Sequence, residues 1–247
     1  MRPVEVRILG SGDAFGSGGR FQTCFHIAGE KTACLIDCGA TVLIAMKKFS
    51  VEPASVDAIL LSHLHGDHFG GIPFFILQAQ FSRRIRTLKV AGPAGVETRI
   101  REAMEVLFPG SWGISRKFSI DFIEYANGRR IEMENGLSAV PYEVFHPSGA
   151  PAYALKVSLQ GREIGYSGDT EWVNGVLQAA EGTDLFICEG YCFGKKVKFH
   201  LDYGAVKAHR PEMKCHRLLL THMSEEMLAR LQDLEVEWAE DGQKVDL

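Results

Sequence analysis

Short apolar runs rich in Val and Ile recur along almost the whole 247-residue chain, at 4–9, 24–27, 34–36, 58–61, 88–91, 118–123, 139–145, 153–157, 163–166, 185–188 and 217–220. Their lengths and β-branched content fit strands. Segments with helical spacing lie between them, at 41–49, 72–81, 95–107, 174–180 and 225–231. Strand–helix alternation predicts parallel pairing, while the turn at Gln160-Gly161-Arg162 predicts an antiparallel hairpin. Mixed sheets with helices on their outer faces accommodate both. No repeat, low-complexity segment or Pro/Ser-rich linker interrupts the pattern, so residues 1–247 read as one layered α/β domain, a length such folds reach.

The densest chemistry follows the run at 58–61, in Ser62-His63-Leu64-His65-Gly66-Asp67-His68. Three imidazoles and a carboxylate within six residues are more than loop packing would select. Where the chain leaves its strand, His63 and His65 are expected to point to one position. Asp67 and His68 are expected to turn to a second, with Gly66 giving the backbone room to bend. Neutral imidazole and carboxylate are the ligands zinc takes when no thiolate is present. Three more donors emerge at the ends of apolar runs: His146 before Pro147-Ser148-Gly149, Asp169 within Ser167-Gly168-Asp169-Thr170, and His222 after Leu218-Leu219-Leu220-Thr221. Each alone could be a capping aspartate or a hydrogen-bonded edge histidine. Strand-end loops of layered α/β folds are also where functional groups gather, and the order of these residues favours a metal site.

Composition narrows the partners. A net charge of −4 and a pI near 6.1 argue against a protein built to neutralise a nucleic-acid backbone, though they leave room for a local basic patch. No run of ~18 apolar residues suits a membrane span, and the N-terminus lacks the apolar stretch of a secretion signal. A cytoplasmic protein without a membrane partner is expected. Of the six cysteines, Cys34 and Cys38 are four apart, as are Cys188 and Cys192. Both pairs lie beside apolar strands, where buried free thiols are expected rather than a thiolate metal site or disulfides.

Taken in order, His63-Leu64-His65-Gly66-Asp67-His68, His146, Gly168-Asp169-Thr170 and Thr221-His222 resemble the metallo-β-lactamase superfamily. The resemblance spans nearly the whole chain, from Gly10-Ser11-Gly12-Asp13 to Asp241-Gly242-Gln243-Lys244-Val245. It implies an αββα four-layer sandwich, two mixed β-sheets between helix layers, with metals in a groove at one sheet edge. It further implies two divalent ions, zinc first and manganese or iron as alternatives. His63, His65 and His146 would hold one, Asp67, His68 and His222 the other, and Asp169 would bridge both. Two cations ~3.5–4 Å apart repel, and a shared carboxylate plus a bridging hydroxide screens that repulsion. That hydroxide, from a water whose pKa falls toward ~7, is the expected nucleophile. Redox members of the superfamily carry glutamate at the second histidine of the cluster, so His65 favours hydrolysis.

Within the superfamily, Leu9-Gly10-Ser11-Gly12-Asp13-Ala14-Phe15 and Leu35-Ile36-Asp37-Cys38-Gly39 resemble motifs of ribonuclease Z-like phosphodiesterases. Asp37 would hold a ligand histidine in its tautomer, or cap a turn. Glu189, followed eleven residues later by His200-Leu201-Asp202, resembles the pair those enzymes use near the leaving group. A carboxylate against an imidazole keeps it protonated, as a general acid requires. Asp67, His200 and Glu189 then form the expected catalytic set. The plainer alternative makes Glu189 a strand-end acid and His200 a surface residue. His26, His209 and His216 match no position of the family and are expected to be structural.

Departures are equally informative. Nothing has the length or basic composition of the arm with which ribonuclease Z grips tRNA, and His222 is followed by Met223-Ser224-Glu225-Glu226. The His-x-Asp form at His200 resembles the phosphoribosyl cyclic phosphodiesterase of phosphonate breakdown, whose cysteine-rich zinc insertion is absent. A binuclear metal-dependent phosphodiesterase acting on a small or cyclic phosphate ester is therefore expected, ahead of tRNA as substrate. The alternatives are hydrolysis of an ester, lactone or thioester, RNA 3′ processing by a homodimer, and a non-enzymatic metal-binding or ligand-sensing module.

Overall fold

A computed structural model describes residues 3–247. The first sheet runs, in spatial order, β14 (Lys244–Asp246), β1 (Glu5–Gly10), β2 (Cys24–Ala28), β3 (Ala33–Ile36), β4 (Ala58–Leu60), β5 (Leu88–Gly92) and β6 (Ile120–Glu124). The second runs β13 (Glu237–Trp238), β12 (Arg217–Thr221), β11 (Leu185–Glu189), β10 (Arg162–Tyr166), β9 (Ala152–Leu159), β8 (Ser138–Val144) and β7 (Ile131–Glu132). Both sheets are mixed. β3 to β6 pair in parallel, as do β10 to β13, while β1–β2, β2–β3, β8–β9 and β9–β10 are antiparallel. The hairpin expected at Gln160-Gly161 joins β9 to β10, with Leu159 opposite Arg162 and both turn residues at positive φ.

The two-residue alternation of each strand divides its side chains between two cores. Val6, Ile8, Phe25, Ile27, Cys34, Ile36 and Leu60 of the first sheet pack against Leu155, Val157, Ile164, Tyr166, Ile187 and Leu219 of the second. The opposite faces carry helices. Leu35, Ile59 and Val90 meet α1 (Val42–Lys48), α3 (Ile72–Phe81) and α4 (Val96–Leu107). Ala154, Phe186, Cys188 and Leu220 meet α5 (Asn174–Ala180) and α6 (Tyr203–His209). Two short helices, α2 (Gly66–Phe69) and α7 (Glu225–Leu228), complete the set. This is the αββα sandwich that the strand pattern and the motifs imply. Burying each Leu, Ile, Val or Phe contributes roughly 1.5–3 kcal/mol, so both faces of both sheets stabilise the fold. No helix among the described residues is long and apolar enough to cross a membrane.

The pairing directions decide where the loops meet. β1, β3 and β4 point the same way in the first sheet, and β8, β10, β11 and β12 do in the second. Asp37, His63, His146, Asp169, Glu189 and His222 all lie at or just past the C-terminal ends of these strands.

Candidate metal centre

The chain leaves β4 through Ser62 into His63 and His65, and α2 then begins at Gly66. Asp67 and His68 therefore depart from a helical first turn and face a different position from the two histidines before them. Gly66 does not supply the bend expected of it. Its φ is not positive, and a Cβ there would meet nothing within 4 Å; the start of α2 makes the turn. The glycine that is required precedes Asp169. Gly168 sits at φ +62, and a Cβ would lie 2.8 Å from the Tyr153 carbonyl oxygen.

Two donor sets converge in the groove between the sheets' edges. His63, His65 and His146 form one, and Asp67, His68, Asp169 and His222 form the other, with the ligand atoms of each set within 4.8 Å of one another. His146 Nε2 is 3.0 Å from His65 Nδ1. In the second set, Asp67 Oδ2 lies 3.1 Å from His68 Nε2 and 3.2 Å from His222 Nε2. Asp169 Oδ2 is 3.4 Å from each of those two nitrogens and 3.9 Å from His63 Nε2. One carboxylate oxygen thus faces both sets.

His63 Nε2 and Asp169 Oδ1 are buried without a hydrogen-bond partner. Leaving such atoms unsatisfied costs about 1–3 kcal/mol each, and lone pairs aimed at one another in this way are stable around cations. Mixed imidazole and carboxylate donors suit divalent metal ions. Charge agrees with that reading. Burial opposes ionisation of Asp67 and Asp169, but His68 and His222 outweigh it and hold both carboxyls far below their ordinary range. Burial and neighbouring His68 push His63 well down, so its nitrogen is a neutral donor.

The far sides of the His63, His68 and His146 rings are held as well. Asp37, wholly buried at φ 55, accepts from the Ser62 amide and hydroxyl at 2.8 Å each and lies 2.7 Å from His68 Nδ1. The Ser62 oxygen is also 3.0 Å from His63 Nδ1. His146 Nδ1 donates to the Phe199 carbonyl at 2.9 Å, leaving its Nε2 for the groove. The His222 amide donates to Ser11 in the glycine-rich loop after β1. Asp241 secures that loop by accepting from the Ser11 amide and hydroxyl and from the Phe21 amide at 2.7–2.9 Å. His222, at φ 58, is itself in the left-handed region. Such backbone strain persists where surrounding bonds over-determine the conformation.

Glu189 and His200 meet at the same groove. Glu189 ends β11, is wholly buried, and hydrogen-bonds the His200 ring through Oε1. Its Oε2 accepts from the Thr170 and Leu201 amides at 3.0 and 3.1 Å. Burial works against a proton on His200, but the bond to Glu189 and its charge outweigh this and raise the imidazole's pKa. Burial and nearby Asp169 likewise raise Glu189, so the pair holds one proton tightly. His200 is partly buried rather than a surface residue, with Tyr191 stacked 4.7 Å from it. Asp169, Glu189, His200 and His222 form a third donor cluster within 4.8 Å.

Other expectations resolve locally. Asp202 does not enter the groove. It caps α6 by accepting from the Ala205 amide at 2.9 Å, so the Asp of the His-x-Asp motif builds a helix end. His209 stacks on Trp172 at 4.0 Å and lies against Glu212, and His26 is buried on β2. All six cysteines are free and buried, and Cys34 and Cys38 face different cores. No cysteine joins a metal-type cluster among the described residues. Ser62, Tyr191, Asp241 and the Phe199 carbonyl were not legible as parts of the site. Ser62, directly before His63, and Asp241, at the end of the family resemblance, carried no more than a positional hint.

Residues 4–244 match the family model described as anti-Pycsar protein Apyc1. The chain belongs to that family. This Apyc1-family chain is also 25% identical to the ribonuclease Z of Lachnoclostridium phytofermentans over 240 residues, covering 79% of the chain and 77% of the relative. Its fold matches the short form of human tRNase Z (TM-score 0.80, 22% identity, 98% of each chain). It also matches a diphosphatase of the PhnP family (TM-score 0.79, 16% identity, 99% of this chain and 98% of the other). The architecture is the metallo-β-lactamase fold, and this Apyc1-family member is a metal-dependent hydrolase of that superfamily.

Proposed function

We propose that this chain is a binuclear phosphodiesterase acting on a small or cyclic phosphate ester. Two divalent cations, zinc by the donor chemistry, would be held by His63, His65 and His146, by Asp67, His68 and His222, and by Asp169 between them, and would supply Lewis-acid polarisation of phosphoryl oxygens and of an attacking water. The protein's own share is positional and acid–base. Asp37 and Ser62 fix the rings of His68 and His63, and the Phe199 carbonyl fixes that of His146. His200 carries the proton for the departing oxygen through Nε2, while Glu189 at Nδ1 orients the ring and balances its charge.

The observation that carries this reading is the pairing of buried Glu189 with partly buried His200, gathered with Asp169 and His222 into one cluster. An ester, lactone or thioester hydrolase would not need that pair. Supporting the choice of a small diester are the net charge of −4 and the lack of a basic arm. Glu225 and Glu226 add negative charge beside the site, although they also bind the Gly18 and Phe193 amides. The names of the relatives, a ribonuclease, a tRNase and a diphosphatase, all concern phosphate bonds. RNA cleavage by a homodimer is the second reading, favoured by the ribonuclease Z relatives. Bis-p-nitrophenyl phosphate and cyclic nucleotides should be cleaved more readily than precursor tRNA; efficient tRNA trimming with negligible small-diester turnover would reverse that choice.

Leaving-group dependence tests the central role. His200→Ala should lose ~10²–10⁴-fold on alkyl or nucleoside diesters and much less on nitrophenyl diesters, whose leaving group departs unprotonated. Glu189→Gln should show the same pattern more mildly. Equal loss on both substrates with unchanged metal content would assign His200 to substrate binding, and loss of metal would make it a ligand.

A further inference from the structure

The imidazole of His200 is held at one ring atom, Nδ1, by its bond to Glu189. One such bond leaves the ring free to tilt about it, because the torsion that sets a histidine's ring plane is broad. A tilt would swing Nε2 away from the leaving oxygen. Tyr191 closes that freedom. Its ring stacks on that of His200, with centroids 4.7 Å apart and planes 29° from parallel. The other rings near His200 constrain it less. His146 meets it edge-on at 4.9 Å and 72°, and His222 stands 5.9 Å away.

The backbone makes Tyr191 a fixed wall. Glu189 and Tyr191 stand two apart where the chain runs on from β11, and an extended backbone sends residues at that spacing to one side. Gly190 between them donates its amide to the Thr221 carbonyl at 3.0 Å. Tyr191 donates to the Leu201 carbonyl at 2.8 Å and accepts from the Ser224 amide at 2.9 Å. One short stretch thus supplies the carboxylate at the edge of His200 and the aromatic ring at its face, and is bonded to the residue that follows His200. Tyr191 is half-buried and belongs to none of the apolar cores, so its truncation opens no cavity in them.

We infer that Tyr191 is a positioning residue for the proposed general acid, its ring face fixing the plane of the His200 imidazole so that Nε2 stays aimed at the departing oxygen. The inference rests on the phosphodiesterase reading above. Contacts between aromatic rings are strong enough to change a rate by up to about tenfold.

Kinetics with metal-loaded enzyme test it. In Tyr191→Ala, kcat on a nucleoside diester, cyclic AMP or ApA, should fall roughly tenfold with KM unchanged. Bis-p-nitrophenyl phosphate, whose leaving group needs no proton, should be cleaved at nearly the wild-type rate. Tyr191→Phe keeps the ring face and should restore the nucleoside-diester rate. In a His200→Ala background, Tyr191→Ala should cost nothing further, since its effect passes through a ring that is gone. A loss that persists in that background, or one carried by KM, assigns Tyr191 to substrate binding and overturns the inference. Equal loss on both substrates, or a wild-type kcat in Tyr191→Ala, overturns it too. The readout independent of turnover is the His200 Nδ1 proton, identified by nuclear magnetic resonance in nitrogen-labelled, metal-loaded protein by its absence from His200→Ala. Its exchange with water should quicken roughly tenfold in Tyr191→Ala and not in Tyr191→Phe; unchanged exchange overturns the inference whatever the substrates do. No hydrolysis of either diester class by the wild type overturns the phosphodiesterase reading instead, and the inference with it.

Discussion

Asp169 carries more of the proposed site than any other single side chain, because one of its oxygens faces His63, His68 and His222 at 3.4–3.9 Å. Asp169→Ala should therefore lower metal content at both positions, from about two ions per chain at saturating zinc. Loss of only one ion would show that the carboxylate does not bridge, and at most one tightly held ion in the wild type would sink the binuclear assignment. Asp37 acts one layer further out. It touches no groove atom directly but fixes His68 and, through Ser62, His63. Substituting such a partner typically weakens metal binding 10–100-fold, so Asp37→Asn should shift chelator competition by that amount while folding is retained. An unchanged metal affinity would reduce Asp37 to a turn residue. Its role was readable only through the resemblance of Leu35-Ile36-Asp37-Cys38-Gly39 to a family motif, since an aspartate just past an apolar strand can equally cap a turn. Ser62 was not, since its importance comes from the pairing of β3 with β4, which sets it beside Asp37 and which no local pattern displays.

Among the elements, the short connection after β10 is the most demanding. Gly168 combines a φ of +62 with a carbonyl 2.8 Å from where a Cβ would stand, and Asp169 follows directly. Gly168→Ala should cost about 1–3 kcal/mol of stability and loosen metal binding, read as a lower urea midpoint and weaker zinc retention. A variant with wild-type midpoint and zinc content would show that the connection tolerates an L-residue's side chain. The long elements were legible because burial on one or both faces writes a period into them. The expected strand at 163–166 lies within β10, while the expected helix at 72–81 is α3, legible by its length and apolar content rather than by a period. β7, β13 and β14 were not, being edge strands of two or three residues whose partners, not their composition, make them strands. α6 was hidden for a different reason. Its cap, Asp202, also fits a catalytic motif, and a short polar residue serves either purpose.

At the scale of the molecule, strand direction gathers the site at one end of the sandwich and leaves His26 buried on the outer face of the first sheet, away from it. Across the sheet His26 meets Arg7 and Leu35. Glu5 favours its protonation and Arg7 opposes it, while Glu52 and Lys244 line the hollow nearby. Burial dominates and depresses its pKa to about 4, and neither ring nitrogen has a partner. The sign follows from which state takes up the proton. An unfolded histidine titrates near 6.5, so between about 6.5 and 4 the unfolded chain binds a proton that the folded chain refuses. Stability is then full above pH 6.5 and declines as the pH falls toward 4. A shift of this size amounts to about 3 kcal/mol in all. Carboxylates and the proposed metal ligands also titrate in acid, so the comparison must be differential. Urea unfolding of wild type and His26→Gln, both metal-saturated, at pH 7 and at pH 5, isolates this one residue, since contributions shared by the two proteins cancel. The variant should lose less stability than the wild type between those pH values. Parallel losses would mean that His26 accepts its proton in the folded state, and that its burial does not limit the acid tolerance of the fold.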